Sequence, residues 1–156
     1  MKRSRQLHRP WVYPPATTEA FAGYLQRLAS ETQLGYWVCS DGREIAGVVN
    51  ISEIVRGNFG SGYLGFYAFV PYNGRGYMKR GISFILTEVF SRYRLHRLEA
   101  NIQPGNAASR GLVESLGFRL EGFSPRYLKI GGRWRDHERW AITAEEWKTY
   151  SRRVIS

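Results

Sequence analysis

The sequence predicts a mixed α/β (α+β) fold, a mostly antiparallel twisted sheet flanked by helices. Three observations carry that prediction. Runs of strand length, rich in apolar and aromatic residues, lie at 35–40, 44–51, 63–70 and 97–102 among segments of helical period. Asp41-Gly42 and Gly131-Gly132 each join two such runs across a two-residue turn, the short-range signature of an antiparallel hairpin. Between 70 and 97 the chain passes instead through a helix, with Ile82, Ile85, Leu86, Val89, Phe90 and Tyr93 on one stripe. The strand at 97–102 therefore runs parallel to its neighbour.

In chain order, residues 1–16 are basic, contain three prolines, and read as an extended lead-in to a single domain at 17–152. Thr17 suits an N-cap, and Phe21, Tyr24, Leu25 and Leu28 recur at helical spacing up to about Ser30. The hairpin at 35–51 and a polar connection at 52–62 lead to 63–70, an almost unbroken apolar run that predicts a strand buried on both faces and ended by Pro71. Pro104-Gly105 stops the strand at 97–102. Asn106 then caps a helix with Leu112, Val113 and Leu116 on one face, and Gly117 suits its C-terminal end. A strand starts at 118–122, a last hairpin joins 127–130 to 134–142, and Thr143 with Glu146 forms a capping box for a closing helix.

A length of 156 residues is one domain's worth, and 43% hydrophobic with 23% charged residues excludes wholesale disorder. The formal charge of +10 favours an anionic partner, a phosphorylated cofactor or RNA, with simple solubility as the plain alternative. The single cysteine, Cys39, has no internal disulfide partner, which fits a reducing compartment, and within its apolar run it reads as a small core residue. No apolar stretch follows the basic start and no segment reaches membrane-spanning length, so a cytoplasmic protein away from membranes is expected. His8 and His96 lack metal-ligand spacing with other His, Cys or carboxylate residues, and no metal is assigned.

The loop Asn73-Gly74-Arg75-Gly76 lies between an apolar strand and a helix. That arrangement turns unpaired backbone N–H groups of residues 74–79 and a positive helix end toward an anion, with Arg75, Lys79 and Arg80 adding charge. A plain glycine turn beside a solvated basic face is the other reading.

Three motifs extend this. Asn73-Gly74-Arg75-Gly76-Tyr77-Met78 is similar to the acyl-CoA loop Gln/Arg-x-x-Gly-x-Gly/Ala, with Asn73 and Met78 departing from it. Asn106-Ala107-Ala108-Ser109 followed by Glu114-Ser115-Leu116-Gly117-Phe118 is similar to N-x-x-S…E-x-L-G-F. Glu121-Gly122, Tyr127-Leu128 and Trp134-Arg135-Asp136-His137 complete the set. Over residues 11–147 the chain resembles the GNAT superfamily of acyl-CoA-dependent N-acetyltransferases, in its RimJ/RimL-like, ribosomal-protein-alanine branch.

The resemblance implies direct attack of a neutral amine on an acetyl thioester, in a gap where two parallel central strands splay apart. Acetyl-CoA is the implied co-substrate. Its pyrophosphate would lie on Asn73, Gly74, Arg75, Gly76, Tyr77, Met78 and Lys79, and its pantetheine arm against the backbone near Phe69 and Val70. Asn106 would bond the same arm. Ser109 matches a position that faces the thiolate and is the candidate proton donor. It is equally a first-turn residue that bonds only backbone. Glu99, sharing a face with Asn101, is the candidate base, with a salt bridge to Arg97 or a neighbouring strand as its alternative. The glutamate that acts as base in RimL-like members falls at Leu128, which leaves His137, Glu138 or a water chain as further candidates. Strand alternation puts only one of His137 and Glu138 on a given face. Family members also open with a strand and helix ahead of the segment matched by 7–15. Without that strand a sheet edge is uncovered, and a homodimer is expected.

The implied function is acetyl transfer to a primary amine, most directly a protein N-terminus on a ribosomal protein, a role that suits a basic surface near RNA. A small amine or antibiotic as acceptor, and a catalytically silent module that binds CoA or RNA, are the alternatives.

Overall fold

The computed structural model describes residues 2–154, and local signals in the chain place most of its boundaries. A 3-10 turn (Lys2–Ser4) and α1 (Arg5–His8) lead to α2 (Thr18–Leu28), β1 (Leu34–Cys39), β2 (Ile45–Val55), β3 (Ser61–Ala68) and α3 (Tyr77–Ser91). Then come β4 (Arg97–Ile102), α4 (Ala107–Glu114), β5 (Arg119–Ile130), β6 (Arg133–Thr143) and α5 (Ala144–Val154). The caps sit where short side chains can reach orphan amides. Thr17 Oγ1 accepts from the Ala20 N–H at 3.2 Å, and Asn106 Oδ1 from that of Ser109 at 3.2 Å. Thr143 and Glu146 bond reciprocally, the Thr143 N–H to Glu146 Oε2 at 2.8 Å. Gly117, at φ 86°, closes α4 with the N–H of Phe118 on the Val113 carbonyl.

The sheet has the order β1-β2-β3-β4-β6-β5, antiparallel except for β3 beside β4. That parallel pair is joined only at its start, Ser61 with Arg97, Gly62 with Leu98 and Tyr63 with Glu99, and the strands part beyond. Beside the joined end, charge ties β4 to β5 and α5. Arg97 Nε lies 2.9 Å from Glu99 and its guanidinium also bonds Glu121, and Arg119 pairs with both Glu121 and Glu146. One end of the pair is clamped by its backbone pairing while the other stands open.

Helix α3 covers one face of the sheet. Its Ile82, Leu86 and Val89 are fully buried together with Ile51, Leu98 and Ile142, each such side chain contributing about 1.5–3 kcal/mol of transfer free energy. Gly81 permits the close approach, since a Cβ there would lie 2.5 Å from a Val38 methyl. The helix start is thereby held beside the open end of β3.

Several expectations are corrected. Strand β3 is not buried on both faces. Gly62 and Leu64 are buried on one face, while on the other only Tyr67 is, packed against His8, and Tyr63 and Gly65 stay half-covered or exposed. In the first hairpin the left-handed residue is Arg43, at φ 63°, rather than Gly42, and Ser40 Oγ accepts from the Glu44 N–H, so the turn is a residue longer than Asp-Gly alone. Cys39 is exposed: alternation along β1 turns Leu34, Tyr36 and Val38 inward and leaves Trp37 and Cys39 on the outer face. Residues 119–130 form one irregular strand, with register shifts at 120–122 and 124–128. Residues 1–16 are not simply extended. Buried Ser4 and His8 dock on the end of β3, the Val70 N–H donating to Ser4 Oγ at 3.1 Å and His8 Nε2 to the Ala68 carbonyl at 2.7 Å. Strand β1 forms one sheet edge, with Trp37 58% exposed. Among the described residues no helix is long and apolar enough to cross a membrane.

Candidate functional site

Where β3 and β4 part, a cleft of about 640 Å³ opens. Residues 64–68 of β3 and Asn101 and Ile102 of β4 form its floor. At Gly65 a Cβ would meet nothing within 4 Å, so the floor is widened by the missing side chain. One wall is the glycine loop with the starts of α3 and α4, contributing Asn73, Gly74, Gly76, Met78, Lys79, Asn106 and Ser109. The facing wall comes from two distant segments, Leu7, Trp11 and Val12 of the N-terminal stretch and Leu128, Ile130 and His137 of the last hairpin.

The loop wall offers unpaired backbone donors. Gly74 and Gly76 take φ 73° and 81°, a region other residues enter at a cost of about 1–2 kcal/mol, and nothing lies within 4 Å of where either Cβ would stand. Gly76 caps α3 with no side chain to accept from the first turn, and no acidic residue sits there. The loop carbonyls that bond inward belong to Phe69, which accepts from Tyr72 and Asn73, and the ladder of α3 begins with Arg80 on Gly76. The amides of residues 74–79 are thus left without acceptors within the described residues. Arg75 is exposed, Lys79 lines the cleft, and Arg80 is turned to Asp41 at 3.2 Å and over the Tyr77 ring.

Among the polar side chains of the lining, Asn101, Asn106, Ser109 and His137 bear on the chemistry. Asn106 is held by its capping bond. The Ser109 hydroxyl makes no hydrogen bond within the described residues, unlike Ser83, Thr87, Ser91 and Ser115, whose hydroxyls all bond a carbonyl one turn back. Asn101 Oδ1 is buried with no partner, on the floor where the strands part. His137 is 2% exposed. Its Nδ1 donates to the Arg135 carbonyl at 2.9 Å, since a carbonyl only accepts, and burial holds its pKa below the usual 6.5. The imidazole is therefore neutral at pH 7 with Nε2 as the free acceptor.

Other expected site residues stand elsewhere. Phe69 and Val70 are outside the lining, and their amides are committed to the Ala46 carbonyl and Ser4 Oγ; the cleft-facing backbone is 64–68 instead. Arg75 and Tyr77 flank the loop without lining the cleft. Glu99 is held by Arg97 at the clamped end, its structural alternative, and Glu138 by Arg110 at 2.9 Å and the Trp140 indole at 3.0 Å. Leu128 does border the cleft. The wall made by Leu7, Trp11 and Val12 is not foreseen by the sequence pattern: its only signal is an apolar residue set inside a basic, proline-bearing start.

The arrangement suits a long phosphorylated thioester carrier. Free amides suit a phosphate, the parted strands leave backbone unpaired for an extended arm, and Asn101 and Ser109 add unsatisfied polar atoms to the lining. Comparison agrees. The family model for the acetyltransferase (GNAT) domain matches residues 1–119. The ribosomal protein uS5-alanine N-acetyltransferase of Escherichia coli (strain K12) is 38% identical over 107 residues, 69% of this chain and 55% of that protein. The chain thus spans little more than half the length of that relative. The solved structure of Mycobacterium smegmatis RimJ in complex with CoA-disulfide superposes with a TM-score of 0.85 at 27% identity, over 97% of this chain and 78% of that one. Ribosomal-protein-S5-alanine acetyltransferase from Vibrio fischeri gives 0.80 at 28%, over 94% and 85%.

Proposed function

The chain belongs to the acetyltransferase (GNAT) domain family, and from that premise we propose that it moves an acetyl group from acetyl-CoA to the N-terminal amine of a protein, a ribosomal protein in particular. The observation that carries the reading is the cleft between the parted strands, with free loop amides at one end and no carboxylate in its lining. When bound, acetyl-CoA supplies an activated acyl group on a thiol leaving group. The chain's own residues do the rest. Amides of residues 74–79 hold the pyrophosphate, with Arg75 and Lys79 balancing its charge. The amide edge of 64–68 and Asn101 align the arm, and Ser109 gives its hydroxyl proton to the departing sulfur.

A polyamine acceptor needs carboxylates to receive its second ammonium, and the lining offers none. An apolar, open-mouthed groove suits a peptide end instead. Segments 1–16 and 124–136, which meet where Tyr13 packs over Gly131, carry eight of the 23 Lys and Arg and one of the 13 acidic residues, a basic border that favours an acceptor presented beside RNA in a cytoplasmic setting. The test is thiol release from acetyl-CoA against N-terminal peptides, ribosomal proteins and small amines. Turnover on peptides with silence on polyamines is the expected result. Silence throughout, with CoA still bound, leaves only a binding module.

A further inference from the structure

We propose that His137 is the catalytic base of this cleft: its Nε2 takes the proton that the acceptor amine loses. The proposal rests on the acetyl-transfer reading above. Three observations support it. His137 is buried yet borders the cleft, so the little of its imidazole that is exposed opens on the cleft. Its Nδ1–H is fixed on the Arg135 carbonyl at 2.9 Å, which selects the tautomer with an unprotonated Nε2, and nothing among the described residues bonds that atom. The rival carboxylates are absent or occupied: Leu128 stands where the resemblance places a glutamate, Glu99 is paired with Arg97, and Glu138 with Arg110.

The proton balance closes. As the C–N bond forms and the C–S bond breaks, one amine proton moves to Nε2 and the Ser109 hydroxyl proton moves to sulfur. The imidazolium then releases its proton to solvent, and Ser109 recovers one from it. The groups that bear on His137 are Tyr127 of β5, whose ring lies 6.3 Å away, and Asp136 on its own strand. Around the same cleft stand His8 of the N-terminal segment, Tyr67 of β3, and Tyr72 and Lys79 of the loop wall. Burial outweighs Asp136 and keeps the imidazole neutral near pH 7, so the base is lost only as pH falls through a value below 6.5.

The experiment is the pH dependence of kcat/KM for a peptide acceptor, with the unaltered protein and with His137→Gln, alongside CoA affinity. For the unaltered protein the acid limb should steepen from slope one to slope two below about pH 6.5, as imidazole ionisation adds to that of the amine near pH 8. In His137→Gln the slope should stay at one and kcat fall by about 10²–10⁴, with CoA affinity kept. Slope two and full rate in the variant overturn the proposal. Should the variant not fold, nitrogen chemical shifts of His137 in the unaltered protein decide. An Nδ1–H tautomer titrating below 6.5 supports it, and an Nε2–H tautomer sinks it. No transfer by the unaltered protein instead sinks the reading of the function, whatever His137 does.

Discussion

The two walls of the cleft are made by opposite means. The loop wall is continuous in sequence, residues 73–79, and works through backbone: two left-handed glycines, an uncapped helix start and six free amides. The facing wall joins Leu7 and Trp11 to Leu128 and His137, residues more than a hundred positions apart, and works through side chains. A wall built of backbone fits what all members of a chemistry share, a phosphorylated carrier. A wall built of side chains from two separate segments is free to vary with the acceptor.

That contrast is open to direct attack. Ser109 stands on the loop side, and Ser109→Ala should lower kcat about ten- to a thousandfold in steady-state assays while CoA affinity holds. An unchanged kcat removes the hydroxyl from the chemistry. Gly76→Val tests the backbone itself. No atom lies near its Cβ, so the effect is conformational, about 1–2 kcal/mol, and CoA affinity by calorimetry should drop roughly five- to thirtyfold with acceptor KM little altered. Trp11→Ala should do the reverse, raising acceptor KM by about three- to tenfold and sparing CoA affinity, since it removes an apolar ring that lines the cleft and packs over Gly105, outside the glycine loop at 73–79. If both variants moved both constants together, the division of labour between the walls would be lost.

The smallest effect concerns the clamped end of β3 and β4. Arg97, with Arg119, holds the Glu121 carboxyl at about 2, below its usual 4.5. A depressed carboxylate pKa adds stability above the unfolded value that fades as pH falls toward the folded one. The thermal midpoint of Glu121→Gln should therefore lie below that of the unaltered protein at about pH 6, and the gap should shrink below about pH 4.5.

Features whose causes lie within a few residues are legible in the sequence alone. Thr17, Asn106, Gly117 and the Thr143 and Glu146 box each satisfy amides or carbonyls one turn away, and all stand where the pattern places them. Ser109 is legible as a helix residue, but its free hydroxyl is not, because that depends on which face of α4 meets the cleft. Cys39 fails for a similar reason: in an unbroken apolar run the pattern does not say which alternate set of side chains points inward, and in β1 that set is Leu34, Tyr36 and Val38. Glu99 is correctly set beside Arg97 as one of two roles, and only the three-residue pairing of β3 with β4 puts it at the clamped end.

By itself, then, the chain determined the order of its main strands and helices, its caps, and a glycine loop before α3, all products of short-range backbone chemistry. The tertiary structure alone decided where the parallel strands part, that residues 4–12 fold back to wall the gap, and that His137 enters it while Glu138 is held outside. Those outcomes follow from packing between segments far apart in sequence, where one residue of register turns a side chain from one face of a sheet to the other.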